Sequence, residues 1–329
     1  MPDSTTQIDP SKRRLRLWIF YPLALGLIVA SAVVAVRDTD FSPLSRADPA
    51  TVALLLGLVI VNALITAVLF WSVTIPFAHD DQPVRFADMT ALVFAGTLLN
   101  YLPLRPGLIG RAAYLKHRHN IGYRHTTIAL ILVIIGSVLV YAVVGGATLI
   151  TDPAHTPWWI GIALVFFIAS GLARPWLAKW GHRESLGLNP RVLARWSGLA
   201  GLAPLTAWLI VRWTDLLTTA ARLFIAFNLV GHPIGIPEAI VLASAGMFIT
   251  LVGPMPNGIG LREWLYGLIA ASGLFTGDVE GALQLALAAG LIDRAAEVLI
   301  ILPSGVISLA YLKKRTPGPP PHDSTESML

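Results

Sequence analysis

Long apolar segments constrain the fold of this chain more than any other feature. A helix that spans a bilayer needs about 20 apolar residues. Segments of this kind recur along the chain: Leu17–Val36, Thr51–Phe77, Thr126–Ile150, Trp158–Ala173, Trp196–Val211, Thr218–Val230 and Gly281–Leu312. Only 13% of the residues are charged, against about 25% in a soluble domain. We expect an all-α polytopic membrane helix bundle with about seven to eight spans, which excludes a soluble enzyme and a nucleic-acid-binding module.

Clusters of basic residues indicate how the bundle is oriented. The segments Arg105–His125 and Arg174–Arg195 are strongly basic, and the C-terminal tail opens with Lys313–Arg315. The positive-inside rule places these segments and both termini in the cytoplasm. We therefore expect a basic cytoplasmic tail at 1–16, a transmembrane domain at 17–312 and a disordered cytoplasmic tail at 313–329.

The apolar run Met89–Leu102 does not fit this orientation as a simple span. If it crossed the membrane, the basic segment after it would lie outside. We expect this run to enter the membrane, break at Pro103 and return as a re-entrant element. Such backbone is tolerated at membrane depth only where protein or a water-filled cavity surrounds it.

A short motif at this break occurs twice in the chain. The shared pattern is Pro-x-x-x-Gly-x-x-x-Arg, and its second copy begins 151 residues after the first. Its residues are Pro103, Gly107 and Arg111 in the first copy, and Pro254, Gly258 and Arg262 in the second. Such a repeat is typical of transporters with two halves and interrupted helices, whose half-helix ends hold a charged substrate group. A parallel and an inverted arrangement of the halves both remain open, as does a chance sharing of Pro and Gly.

Charged residues inside or beside the apolar runs are the candidate site. A charge at the bilayer centre costs about 2.5–3.5 kcal/mol on insertion scales, so such residues are functional candidates. For Arg212, Asp215 and Arg222 we favour ion pairs at helix ends with snorkelling arginines. The candidate substrate-binding residues are Asn100, Arg105, Arg111, Asn257, Arg262, Glu263, Asp293, Arg294 and Glu297. The candidate structural breaks are Pro103, Gly107, Pro254, Gly258 and Gly260.

Several kinds of chemistry have no motif in the chain. There is no Gly-Lys dipeptide, hence no Walker A loop, and no zinc-protease or serine-hydrolase motif. There is no cysteine, and His117, His119 and His125 have no neighbouring carboxylate, so we expect no metal site and no cofactor. Asp38 and Asp40 form a D-x-D pair, which we interpret first as a solvated acidic loop.

The two breaks resemble motifs of a known family. Asn100–Gly107, followed by Arg111, resembles the first motif of the lysylphosphatidylglycerol synthase transmembrane family, also called flippase-like. Pro254–Glu263 resembles its second motif, and Asp293-Arg294 resembles the arginine on its last long helix. The resemblance covers about residues 15–312. Two positions depart from it: Leu108 stands where the family often has an acid, and Ile131–Leu139 carries none of the charges often found there.

This resemblance implies a bacterial-type inner-membrane protein that moves or helps make modified lipids. Its best-understood members add a cytoplasmic aminoacyl-transferase domain, and their membrane region flips aminoacylated phosphatidylglycerol. We see no such domain here and expect no synthase activity.

Our leading hypothesis is translocation of a phospholipid or polyprenyl-linked lipid between leaflets. Arg111, Arg262 and Arg294 would meet phosphate, while Glu263 and Asp293 would tune charge or carry a proton. One alternative is a membrane glycosyl- or head-group transferase that uses Asp38 and Asp40. Another is a non-catalytic membrane partner of a separate lipid-synthesising enzyme. The expected partners are a membrane lipid and such an enzyme, but no nucleic acid.

Overall fold

The structure, a computed structural model, describes residues 10–39, 41–78, 82–102, 105–150, 202–253, 255–272 and 281–315. These residues form helices and short connections, and no strand occurs among them. The helices are α1 (Pro10–Asp38), α2 (Ser42–Ser45), α3 (Pro49–Thr74), α4 (Phe86–Leu99), α5 (Pro106–His119), α6 (Tyr123–Ile150), α7 (Leu202–Leu229), α8 (Ile236–Val252), α9 (Leu261–Ala271) and α10 (Ala282–Arg315). The all-α prediction is confirmed for this part of the chain.

Three of the described helices are long and apolar enough to cross a membrane. They cover Pro49–Phe77, Tyr123–Gly146 and Ala282–Arg315. The lengths agree with a rise of about 1.5 Å per residue and an apolar core about 30 Å thick. The predicted span Trp158–Ala173 and the basic segment Arg174–Arg195 lie outside the described residues, so the number of spans stays a prediction.

One prediction about the spans is wrong. The sequence suggested separate spans at Trp196–Val211 and Thr218–Val230, but α7 runs without a break from Leu202 to Leu229. The charges between the two apolar runs caused the error. Arg212 and Asp215 pair with each other at 2.7 Å and are buried, so the helix accommodates both charges without ending.

The backbone leaves the helical conformation at both predicted breaks. The first break separates α4 from α5, and the second separates α8 from α9, with a single 3-10 turn at Pro256–Gly258 between them. Arg105 and Asn257 both take left-handed conformations, with φ of 48° and 50°. Pro103 and Pro254 themselves lie outside the described residues.

The two breaks stand in equivalent surroundings. Each is formed by two short helices between two long ones, in the orders α3–α4–α5–α6 and α7–α8–α9–α10. The packing between the two groups is also paired, because α4 lies against α10 while α8 lies against α6. The long helices α3 and α7, which open the two groups, pack against each other.

Close backbone approach at the first break requires Gly107. A Cβ added at this position would lie 2.1 Å from the carbonyl oxygen of Gly96 and 2.6 Å from Oδ1 of Asn100. The start of α5 therefore packs directly on the backbone of α4, and position 107 has no room for a side chain.

We expect Gly107→Ala to lower the free energy of unfolding by about 1–3 kcal/mol, because backbone atoms have to move to accept the methyl group. Gly110→Ala on the same helix is the matched control. A Cβ at Gly110 meets nothing within 4 Å, so this change should be neutral or raise stability by up to about 1 kcal/mol. Denaturant titration in mixed micelles measures both values, and equal effects would contradict the proposed packing.

Candidate functional site

Six charged side chains meet inside the bundle, and we call them the central cluster. Helix α7 contributes one residue, α9 contributes two and α10 contributes three. They are Arg222, Arg262, Glu263, Asp293, Arg294 and Glu297. All six are buried, and Glu263 and Asp293 have no exposed surface.

Two carboxylates of α10 hold two arginines from other helices. Asp293 and Glu297 are four residues apart and share one helix face. Nε of Arg222 donates to Oδ1 of Asp293 at 2.9 Å, and Nη2 of Arg262 donates to Oδ2 at 3.1 Å. Nη1 of Arg262 also donates to Oε2 of Glu297 at 3.3 Å. These bonds tie α7, α9 and α10 together.

Glu263 connects the second break to the cluster. Its Oε2 accepts a hydrogen bond from the backbone N–H of Gly260 at 2.9 Å, at the start of α9. A carboxylate is stabilised there by the positive end of the helix dipole. Its Oε1 accepts from Nε of Arg294 at 3.0 Å. Gly260 has φ of 79°, a conformation that favours glycine.

Polar groups from both breaks reach Glu297. The hydroxyl of Tyr101 donates to its Oε1 at 2.8 Å, and Nδ2 of Asn257 donates to the same oxygen at 3.2 Å. Nη2 of Arg294 in turn donates to the carbonyl oxygen of Asn257 at 3.2 Å. The two broken segments therefore converge on one set of buried charges.

The predicted site residues fall into two groups. The structure brings Asn257, Arg262, Glu263, Asp293, Arg294 and Glu297 together, and it leaves Asn100, Arg105 and Arg111 outside the cluster. The role of all nine residues in substrate binding stays a prediction.

Sequence reasoning missed two members of this site. Arg222 was interpreted as an arginine at a helix end, but it lies within α7 and is 3% exposed, so it cannot snorkel. Treating α7 as one continuous helix would have placed Arg222 inside the bundle. Tyr101 carried no signal beyond its position beside the first break.

A second buried polar group lies elsewhere on α7. Asp215 accepts hydrogen bonds from Nη1 of Arg212 at 2.7 Å, from the hydroxyl of Tyr141 at 3.1 Å and from Nδ2 of Asn62 at 2.8 Å. The ion pair was predicted, but it lies within the helix and not at its end. Both carboxylate oxygens of Asp215 are already bonded, so this group links α3, α6 and α7.

Arg105 makes a contact that joins the two breaks. Its guanidinium donates to the carbonyl oxygens of Gly253 at 2.9 Å and Met255 at 3.2 Å. It also donates to those of Thr250 at 3.2 Å and Leu251 at 3.4 Å. A cation at the C-terminus of α8 satisfies carbonyl groups that have no partner within the helix.

Asn100 lies between α4 and α5, and Arg111 lies within α5. Asn100 follows the last residue of α4, and its Oδ1 is buried with no hydrogen-bond partner in the described part of the chain. The guanidinium of Arg111 stacks 3.6 Å above the ring of Phe70 on α3.

The transferase alternative rests on residues that the structure hardly describes. Asp38 is the last residue of α1, and Asp40 lies outside the described residues. The use of these two aspartates in catalysis therefore stays a prediction.

Histidines at the end of α5 and the start of α6 have their own contacts. Nδ1 of His119 donates to the carbonyl oxygen of Gln82 at 3.2 Å, and burial lowers the pKa of this imidazole. His125 stacks on Phe77, with ring centroids 5.1 Å apart. The two imidazoles therefore have different partners.

A membrane-embedded helix bundle with broken helices and buried charges is the class of protein that this geometry defines. The chain matches the family described as the lysylphosphatidylglycerol synthase TM region over residues 19–313. It belongs to that family, as its two motifs suggested. No curated protein and no solved structure matches the chain.

We expect Arg222 and Asp293 to be coupled in stability. Arg222→Gln and Asp293→Asn each leave a buried charge short of its partner, which costs about 3–5 kcal/mol for a broken buried pair. The double variant should be less destabilised than the sum of the two by about 0.5–3 kcal/mol. The free energy of unfolding in mixed micelles measures this coupling.

A second cycle provides the control for this coupling. It combines Asp293→Asn with Arg118→Gln, because Arg118 is exposed on α5. These two changes should be additive. Additivity in the first cycle as well would show that Arg222 and Asp293 do not interact in the folded protein.

We expect Arg105→Ala to lower the free energy of unfolding by about 1.5–3 kcal/mol, the range for hydrogen bonds to a charged group. The matched control is Arg85→Ala, since Arg85 occupies the N-cap of α4 in the way that Arg105 occupies that of α5, but is exposed. An equal decrease in the free energy of unfolding in both variants would mean that the hydrogen bonds from Arg105 to the C-terminus of α8 do not stabilise the protein.

Proposed function

We propose that this protein moves a phospholipid or polyprenyl-linked lipid between the leaflets of a bacterial-type inner membrane. The observation that carries this proposal is the central cluster, whose charges lie buried where the two broken segments meet. Membership of a family described by a lipid-synthase membrane region supports a role with lipids.

The composition of the central cluster suits a charged head group in transit. Its three guanidinium groups face three carboxylates, so the cluster is electrically balanced when all six side chains are ionised. A lipid phosphate can replace a carboxylate as the partner of Arg262 or Arg294. The carboxylate set free can meet an amine of the head group or, where the lipid has no amine, take up a proton. A buried ion is tolerated only when it is paired, and both routes leave no unpaired charge.

A two-half architecture is part of the proposal. The order of two short helices between two long ones occurs twice, and the packing of α4 on α10 matches that of α8 on α6. Many transporters place their substrate at the interface between such halves and expose it to each side in turn. Here the central cluster would be the fixed site around which the halves move.

The proposed arrangement in the membrane follows from the basic residues. The tails at 1–16 and 313–329 would be cytoplasmic, with the transmembrane domain at 17–312 between them. The basic end of α5 and Lys313–Arg315 would then face anionic lipid at the cytoplasmic surface, where each basic residue contributes about 1 kcal/mol.

Reconstituted vesicles test this function. We expect wild-type protein to move fluorescent phosphatidylglycerol or a fluorescent polyprenyl phosphate to the other leaflet faster than protein-free vesicles do. Arg262→Gln and Arg294→Gln should each slow the movement by at least about tenfold, which corresponds to about 1.4 kcal/mol of lost barrier stabilisation. Dithionite quenching of the outer leaflet measures the rate.

The control is Arg46→Gln, which removes an exposed arginine outside the basic segments and should leave the rate unchanged. All proteins are compared at equal reconstituted amounts and with their melting temperatures recorded. Cluster variants that are folded and as fast as wild type would contradict the proposal, and so would wild-type vesicles that are no faster than empty ones.

A further inference from the structure

Arg111 differs from the other buried arginines of the described chain in one respect. Arg212, Arg222, Arg262 and Arg294 each lie within 4 Å of a carboxylate. Arg111 is just as buried, with 8% of its surface exposed. Nε and Nη1 of its guanidinium have no hydrogen-bond partner in the described part of the chain, and no described carboxylate forms an ion pair with it.

The surroundings of Arg111 cannot balance its charge. The guanidinium lines a pocket between α3, α5 and α6. Its other walls are mainly apolar and carry two threonines but no carboxylate: Phe70, Thr74, Leu108, Leu115, Thr126, Ala129 and Leu130. The face of the guanidinium is stacked on the ring of Phe70, and Nη2 lies beside Gly96 of α4. A fixed cation in an apolar pocket is costly unless an anion joins it.

The equivalent arginine of the second break shows what Arg111 lacks. Arg262 stands at the same position of the repeated motif, and it has Glu263, Asp293 and Glu297 as partners. The residue that follows Arg111 is Ala112, where Glu263 follows Arg262. The second arginine is therefore balanced by the protein, while the first has no carboxylate partner in the described part of the chain.

We propose that Arg111 holds the anionic phosphodiester of a bound lipid, in a site separate from the central cluster. This inference rests on the proposed lipid function and adds the class of substrate, a lipid with a net negative head group. The planar guanidinium has Nε–H and Nη–H donors in the fork arrangement that pairs with two oxygens of one phosphate.

A lipid fits this site better than a free phosphate ion. The pocket walls are apolar, and the neighbouring surfaces of α5 and α6 expose Ile109, Ile131 and Leu132. Acyl chains can cover these side chains while the phosphate stays with Arg111. A small hydrated anion would lose its water without gaining any apolar contact.

The first experiment measures binding without transport. Short-chain phosphatidylglycerol, short-chain phosphatidylcholine and inorganic phosphate are titrated separately against lipid-depleted protein in detergent, with the melting temperature and native mass spectra as readouts. We expect phosphatidylglycerol to bind wild type at least about tenfold more tightly than phosphatidylcholine, because both carry the phosphodiester but the choline of the second adds a cation beside an arginine that is already unbalanced. Arg111→Gln should remove this preference, and the control Arg46→Gln, at an exposed arginine outside the basic segments, should keep it.

A second variant separates binding from a structural role. Arg111→Met removes an unbalanced charge from an apolar pocket and keeps most of its volume. It should raise the melting temperature of the lipid-free protein and abolish the further rise on adding phosphatidylglycerol. Arg262→Met should lower the melting temperature, because it leaves buried carboxylates unpaired.

Three results would overturn the inference. They are a lower melting temperature for lipid-free Arg111→Met, equal binding of phosphatidylglycerol by wild type and Arg111→Gln, and stabilisation by inorganic phosphate as large as that by phosphatidylglycerol, which would indicate a site for a free anion. None of them bears on translocation, which is measured with the Arg262 and Arg294 variants, so the two proposals can fail separately.

Discussion

The balance of buried charge is the constraint on which the rest of this structure depends. Three arginines and three carboxylates from α7, α9 and α10 are buried together, and each needs the others to stay ionised away from water. This requirement sets how the three helices pack. It also sets where the second break lies, because Glu263 must reach both the start of α9 and Arg294.

Much of the fold could be predicted from the sequence, because apolar run length and helix-breaking residues act locally. The all-helical class of the described residues was found in this way, and the two motifs indicated the family. Helices α4 and α8 also end close to the two motifs. The continuity of α7 could not be predicted from the sequence, since it depends on partners distant in sequence. Asp215 is bonded to Tyr141 and Asn62, so its charge does not end the helix.

At the candidate site too, the sequence identifies residues but not the partners with which they pair. The motif identified both Arg111 and Arg262, and nothing in the motif itself says that one is paired and the other is not. Only packing shows that Arg222 adds a third guanidinium to the cluster and that Tyr101 reaches Glu297. The sequence thus identified several of the buried charges but not Arg222, and the pairing among helices requires the structure.

The hydrogen bonds of Arg105 have a mechanical consequence. They attach the start of α5 at the first break to the C-terminus of α8 at the second. A motion that separates the two breaks must first break the hydrogen bonds from Arg105 to four carbonyl oxygens. A motion that keeps these bonds carries both breaks as one rigid body. A hinge in this bundle therefore has to lie outside the Arg105 contact, in the long helices or their connections.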